Sequence, residues 1–420
     1  MSIAWLSVAA LVLAVALSCT TAINVGVLSL TLALVVGVFF GGVSAATVLA
    51  GFPVDLFVTL VGITLLFSIA DCNGTLARLT AGAVRLCRGH AGVLPIMFFV
   101  LGFAVSTIGA GATPASALLA PPAMAVANRA RVPPFLMAVM TGNGVLAGTL
   151  SPFAPTGVVA HGVMARIGLG GVEWQTFAFN AFAHALVGFG GFLLFGGWKL
   201  FGRADTGGGS VGAARVDDYA EADAARLEPR HWLTAAGIAA LVAAVVGLGL
   251  DVGMAALTIA TVLILFRAVD EAQAVQRMPW SVILMVSGVS VLVALLQENE
   301  GITLIADGIA KVSTPATIDP VVAFGTGLVS VYSSTSGVVL PAFLPMAPVL
   351  AERVGVAPLD VAWSMNVSAS LVDLSSLSTV GALYIAGAAP GNARRLFNQL
   401  LAWGLSMSVF GAALCWLLFA

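Results

Sequence analysis

Charge is what this sequence has least of. Only 9% of its 420 residues are Asp, Glu, Lys or Arg, about a third of the usual share for a soluble globular domain. That scarcity excludes a soluble fold. The net charge of −2 says nothing about partners, because the charges sit in loops, and no nucleic-acid partner is expected. Cysteine is scarce too. Cys19, Cys72, Cys87 and Cys415 are scattered and form no CxxC pair. This excludes a disulfide framework and a cysteine metal site, and no cofactor is expected. The first 20 residues have an apolar core and a small-residue end near Ala16-Leu17-Ser18-Cys19, but no basic segment precedes them. They are expected to stay on the chain as its first span rather than be cleaved as a signal peptide.

What the sequence has is apolar length. Sixty per cent of it is hydrophobic, which predicts an all-α polytopic membrane protein. Apolar spans fall at 3–20, 25–42 and 53–71, followed by an amphipathic stretch, Thr75–Gly89, with Arg78, Arg85 and Arg88. Residues 93–128 are apolar but broken by Gly109-Ala110-Gly111-Ala112-Thr113-Pro114. Each arm is then about 15 residues, short of the ~20 a full span needs, which predicts a re-entrant hairpin. Residues 134–165 carry a second interruption, Thr149-Leu150-Ser151-Pro152-Phe153-Ala154-Pro155-Thr156-Gly157, which cannot continue a helix unbroken. Residues 176–200 form a glycine-rich span, and Gly202–Arg230 reads as a solvated linker.

The pattern then recurs. Spans at 232–250, 252–268 and 279–297 precede an interfacial stretch at Gly301–Lys311, a hairpin at 320–351, a broken helix at 359–389 and a last span at 396–419. A shift of 226 superimposes Pro53 on Pro279, Gly62 on Gly288 and Asn73 on Asn299. A shift of 224 superimposes Pro134 on Pro358, Ser151 on Ser375 and Gly157 on Gly381. Two repeats are expected, at 1–201 and 231–420, joined by the cytoplasmic linker 202–230. Each has five transmembrane helices plus one re-entrant hairpin. Five is odd, so the second repeat is inverted. On this topology 14 of the 17 basic residues fall on one side, and only Arg166, Lys311 and Arg353 on the other. The basic side marks the cytoplasm, with both termini outside.

Four irregular segments should meet near the bilayer midplane: the hairpin tips Ser106–Pro114 and Ser333–Pro341, and the breaks Thr149–Gly157 and Asp373–Gly381. Half-helix N-termini offer N–H groups to an anion, and half-helix C-termini offer carbonyls to a cation. The candidate substrate ligands are Thr113, Ser116, Ser151, Thr156, Thr335, Ser336, Ser376, Ser378 and Thr379. Candidate cation ligands are Asp373, Asn143, Ser334 and Ser375. For each hydroxyl the competing reading is a bond to its own helix backbone. No Lys or Arg lies in the four segments, so an anion's charge would be balanced by a co-transported cation. An ionised Asp at a helix centre costs about 2.5–3.5 kcal/mol on insertion scales, so Asp373 needs a role or a partner. It is read as a cation ligand or proton carrier, against a cap for the half-helix that follows. Asn143 and Asn366 precede the breaks and suit either the site or interhelical packing. His161 and His184 read first as interhelical hydrogen-bonding groups.

Ala50-Gly51-Phe52-Pro53-Val54-Asp55-Leu56-Phe57, Asn73-Gly74-Thr75 and Leu119-Ala120-Pro121 resemble the N-terminal region of MatC-type malonate/dicarboxylate carriers, best over residues 20–170. More broadly, the layout resembles the ion transporter superfamily, including the divalent anion:sodium symporters. In those, each hairpin tip carries Ser-Asn-Thr followed by a proline. Here Gly111-Ala112-Thr113 and Thr335-Ser336-Gly337 occupy those places, and only Thr113 matches in type and position. The resemblance implies a homodimeric elevator-type transporter in a bacterial inner membrane, carrying a C3–C4 dicarboxylate such as malonate or succinate with Na+ or H+. Here Na+ would be a coupling ion, not a cofactor. Two alternatives stay open: the membrane subunit of a binding-protein-dependent (TRAP-like) uptake system, and a cation/proton antiporter. An intramembrane Ser/His/Asp hydrolase is disfavoured, since no GxSx elbow precedes a suitable histidine and the repeat would be unexplained.

Overall fold

The computed structural model describes residues 2–20, 23–78, 92–201, 228–389 and 391–419, without the side chains at 18–20 and 129. Most of the expected amphipathic stretch, at 79–91, and most of the expected linker, at 202–227, lie outside the described residues.

Among the described residues every regular element is helical. In chain order they are α1 (Ile3–Thr20), α2 (Val25–Leu34), α3 (Val54–Cys72), α4 (Val93–Ala110), α5 (Ala112–Arg129), α6 (Pro134–Ala147), α7 (Pro155–Arg166) and α8 (Glu173–Leu194). Then come α9 (Pro229–Leu248), α10 (Val252–Leu265), α11 (Trp280–Glu298), α12 (Gly301–Ala310), α13 (Ile318–Tyr332), α14 (Thr335–Val354), α15 (Pro358–Leu371), α16 (Thr379–Ala386) and α17 (Ala393–Phe419). Among the described residues, seven helices are long and apolar enough to cross a membrane by length and composition. Large apolar side chains such as Leu194, Leu248, Leu265 and Leu417 stand exposed, as a lipid-facing surface requires. The chain is a multi-pass membrane protein.

Local chemistry sets the helix starts. Pro134, Pro155 and Pro358 each occupy a first helical turn, where a missing N–H costs nothing. Asn24 caps α2, accepting from Gly26 N and Val27 N, and Asp251 caps α10, accepting from Met254 N. Two short helices, Ala45–Leu49 and Glu271–Arg277, fall in segments that read as connections. Each is capped by a side chain, Ser44 and Asp270 respectively.

One expectation needs revision. The arms flanking the tips are not uniformly short: α5 has 18 residues and α14 has 20, although α13 has 15 and α4 leaves helical geometry at Gly109. A wide π-type turn at Thr335–Val339 carries helix through residues that the composition assigned to the second tip, whereas at the first tip the turn begun at Ser106 leaves helical geometry at Gly109. Arm length therefore does not separate a re-entrant hairpin from two full spans.

Helices from the two halves interlock in matched pairs. α2 packs on α11, and α3 on α10. At the first crossing a Cβ on Gly288 would stand 1.9 Å from Gly26 O. At the second a Cβ on Gly62 would stand 2.5 Å from Gly253 O. Only glycine allows such backbone approach. The polar ends match as well: Asn73 Nδ2 donates to Thr234 Oγ1 at 2.8 Å, and Asn299 Nδ2 to Ser7 Oγ at 3.3 Å.

Candidate functional site

The two interruptions fold as the same backbone motif. In the first, Ser151 N donates to Gly148 O, Ala154 N to Ser151 O, and Phe153 N to Ser151 Oγ. In the second, Ser375 N donates to Val372 O, Ser378 N to Ser375 O, and Leu377 N to Ser375 Oγ. Each bond recurs 224 positions on. Gly157 and Gly381 close the two motifs. A Cβ at either would lie 2.0 Å from a carbonyl oxygen, Ser151 O or Ser375 O.

Each break meets the tip nearest to it in sequence. At the first, Ser151 Oγ donates to Thr107 O at 2.7 Å. Gly109 and Gly111 have φ of +124° and +75°, conformations that favour glycine, and a Cβ on Gly111 would stand 2.9 Å from Pro155 Cδ. The N-termini of α5 and α7 are thereby set against each other. At the second, the hydroxyl of Thr335, in the first turn of α14, donates to Asp373 Oδ1. Thr335 Oγ1 also lies 3.2 Å from Ala369 O and shares a hydrogen bond with Ser330 Oγ. One carboxylate, two hydroxyls and a free-ended helix carbonyl thus form an all-oxygen cluster. Oxygen-only sets of this kind suit a hard cation or a proton.

The two sides also touch. α7 packs against the turn Thr335–Val339, and α16 packs against α5. The half-helices after each break therefore lean on the opposite pair of arms, and the four irregular segments form one contiguous region.

The candidate side chains divide by partner. Thr335 and Asp373 meet directly. Ser334 caps α14 by accepting from Gly337 N, and Ser378 caps α16 by accepting from Gly381 N. The Ser378 hydroxyl also sits on the Asp373 and Ser375 carbonyls. Ser375 Oγ is occupied by Leu377 N, and Ser151 by Thr107 and Phe153. For these four the local backbone role is realised. Thr113 and Thr379 are exposed, Thr156 and Ser336 are half-buried, and Ser116 is fully buried. Ser376 is buried, and its hydroxyl has no hydrogen-bond partner among the described residues. Asn143 lies away from the cluster: Nδ2 donates to Val139 O and Oδ1 faces His184 Nδ1 at 3.0 Å. Asn366 Nδ2 donates to Ala362 O, leaving Oδ1 buried without a partner among the described residues.

Residues 1–149 match the family model of the dicarboxylate carrier protein MatC N-terminus. That match ends at Thr149, where the first break begins. No curated protein matches the chain. Among solved structures, the YdaH transporter of Alcanivorax borkumensis is similar over 91% of this chain and 88% of its own, at 18% identity and a TM-score of 0.58. MtrF of Neisseria gonorrhoeae, described within a class of antimetabolite efflux pumps, is similar over 89% of this chain and 83% of its own, at 14% identity and a TM-score of 0.57. The chain therefore shares its fold with these two transporter structures, and its N-terminal third matches the MatC N-terminus model.

Three residues of the region were not legible as site residues in the sequence. Ser330 joins the cluster from one turn before the tip, and Ala369 contributes only a carbonyl. Backbone groups leave no compositional trace. Asn180, on α8, donates to Leu146 O at 2.9 Å and Ala147 O at 3.2 Å, the last carbonyls of α6. A lone amide in an apolar span was the signal for it.

Proposed function

We propose that this chain is a secondary carrier for a small carboxylate, a C3–C4 dicarboxylate such as malonate or succinate, moved by symport with Na+ or H+. The carrying observation is the Thr335–Asp373 contact, which sets the only acid of the four irregular segments against a hydroxyl from the opposing arm. The MatC-type match over residues 1–149 supports the substrate class. The transporter folds of the two structural neighbours support transport over catalysis.

In this reading the chain is two inverted repeats, 1–201 and 231–420. The support is the paired crossings Gly26–Gly288 and Gly253–Gly62, the paired bonds Asn73–Thr234 and Asn299–Ser7, and the duplicated break motif. α4–α5 and α13–α14 act as re-entrant hairpins. They move with the broken helices α6–α7 and α15–α16, and with α8 and α17 packed on those, as an elevator against the remaining helices, in a homodimer of a bacterial inner membrane. Asp373, Thr335 and Ser330, with the Ala369 carbonyl, take the cation. The carboxylate binds at the N-termini of α5, α7, α14 and α16, where Thr113, Ser116, Thr156, Ser336, Ser376 and Thr379 supply hydroxyls. Ser151, Ser334, Ser375 and Ser378 shape that backbone instead of touching the ligands. Asn143 leaves the cation set, because both ends of its amide are engaged.

The test is uptake of labelled malonate and succinate by the purified chain alone in proteoliposomes, under inward Na+ or H+ gradients. Uptake above empty vesicles, driven by one of the two gradients, is expected. Uptake only after a soluble binding protein is added would replace this reading with the binding-protein-dependent one. Cation exchange that no carboxylate alters would replace it with the antiporter.

A further inference from the structure

α8 carries three fully buried polar side chains at a spacing of four: Thr176, Asn180 and His184. In a helix, residues four apart share one face. All three face the broken helices. Thr176 Oγ1 accepts from Trp363 Nε1 of α15 at 3.0 Å. Asn180 caps the C-terminal carbonyls of α6 at Leu146 and Ala147. His184 bridges both: Nδ1 lies 3.0 Å from Asn143 Oδ1 on α6, and Nε2 lies 3.0 Å from Ser370 Oγ on α15.

The bridge is defined in direction. Asn143 Nδ2 already donates to Val139 O, so its Oδ1 faces His184 as an acceptor, and Nδ1 carries the proton. Beyond Ser370, the chain reaches the cation cluster in one step, since Ser370 O accepts from Asp373 N at 3.1 Å. Asn180 likewise acts within one turn of the first break, because Leu146 O also accepts from Thr149 N and Thr149 Oγ1. A buried amide and imidazole, with partners on two other helices, are costly to leave unpaired, which makes the arrangement selective for one relative placement of α6 and α15.

α17 packs on α15 differently. There a Cβ on Gly411 would lie 3.1 Å from Ser368 Oγ of α15, and one on Gly404 2.5 Å from Ser375 Cβ in the break that follows α15. Close apolar approach holds that contact, with Cys415 Sγ donating to Ser364 O at 3.6 Å. The hydrogen-bonded strap is thus a property of α8.

We infer that Thr176, Asn180 and His184 form a positioning strap that locks the two breaks into one unit, so that the anion and cation sites change exposure together. The locking is a statement about the fold; its consequence for coupling rests on the carrier reading above.

Hydrogen exchange on the intact chain in detergent, over peptides covering 146–157 and 367–381, tests the lock without any transport. His184→Leu should speed exchange in both breaks by about tenfold or more, the scale of one lost buried hydrogen-bond pair. His184→Gln spans the same two partners with an amide N–H and a carbonyl, and should restore protection. Ser370→Ala cuts only the α15 end and should loosen 367–381 while sparing 146–157. Should His184→Leu not fold, the Gln and Ala variants still decide the matter. Faster exchange confined to α8, or equal loosening in the Leu and Gln variants, would overturn the strap. In proteoliposomes, His184→Leu should also lower the number of cations moved per carboxylate, while His184→Gln keeps it. A wild-type chain that moves no carboxylate removes the carrier reading and leaves the exchange result standing.

Discussion

The two helix breaks share a backbone motif but only one of them carries a charge. Bond for bond, 148–154 and 372–378 fold alike, and Gly157 and Gly381 meet their own breaks at the same 2.0 Å. Yet the position that is Thr149 in the first is Asp373 in the second. Thr149 Oγ1 turns back to Leu146 O at 2.7 Å, a bond within its own chain segment. Asp373 instead reaches across to the opposing arm at Thr335. The difference teaches that the fold needs the break twice but the charge once. In the proposed carrier, backbone geometry would supply an anion site on both sides, and the single acid would direct the cation to one.

The comparison can be broken first where the breaks are alike. Gly157→Ala and Gly381→Ala each force a methyl into a carbonyl oxygen, which costs at least the ~1–3 kcal/mol of core overpacking. Both should lose folded protein in size-exclusion and thermal-unfolding measurements, and to a similar extent. A large difference between them would show that the two motifs are not equivalent in energy.

The next effect separates the breaks. Thr335→Val removes the donor to Asp373, a hydrogen bond to a charged acceptor worth about 1.5–3 kcal/mol. The half-saturating cation concentration for uptake should rise by about tenfold or more. Ser151→Ala, at the first break, loses only neutral bonds, one to Thr107 O and one from Phe153 N. It should cost about 1 kcal/mol of stability and leave cation dependence unchanged.

A smaller effect is expected from Asn180→Leu, which uncaps the Leu146 and Ala147 carbonyls. Leaving buried acceptors unpaired costs about 1–3 kcal/mol, though Thr149 still serves Leu146. Thermal unfolding should shift down by a few degrees. An unchanged midpoint would mean that α8 does not brace the first break.

Much of the fold was legible because membrane helices announce themselves by apolar length, and their ends by proline and capping residues. Pro134, Pro155 and Pro358 sit at helix starts, and Asn24 and Asp251 at caps, as local chemistry demands. The tips were less legible. Hydroxyl-rich and glycine-rich sequence reads as non-helical, which fits the kink at Gly109, but Thr335–Val339 keeps a widened helical turn. Within the site, the residue types near Asp373 were readable, but their partners were not. Thr335 and Asp373 are 38 residues apart in sequence, and Asn180 and Leu146 are 34 apart. Nothing local distinguishes Ser375, which holds Leu377 N, from Ser376, which holds nothing. Asn143 was read as a cation ligand because it precedes a break by about a turn and a half. His184, which takes up its carbonyl oxygen, stands 41 residues away.

The central claim is that one break handles the cation and the other does not. The most direct measurement is the cation dependence of carboxylate uptake by Asp373→Asn and Thr149→Val in the same proteoliposomes, per folded protein. The account predicts that Asp373→Asn loses gradient-driven uptake while Thr149→Val keeps the wild-type cation dependence. Wild-type cation dependence in Asp373→Asn, or its loss in Thr149→Val alone, would contradict it.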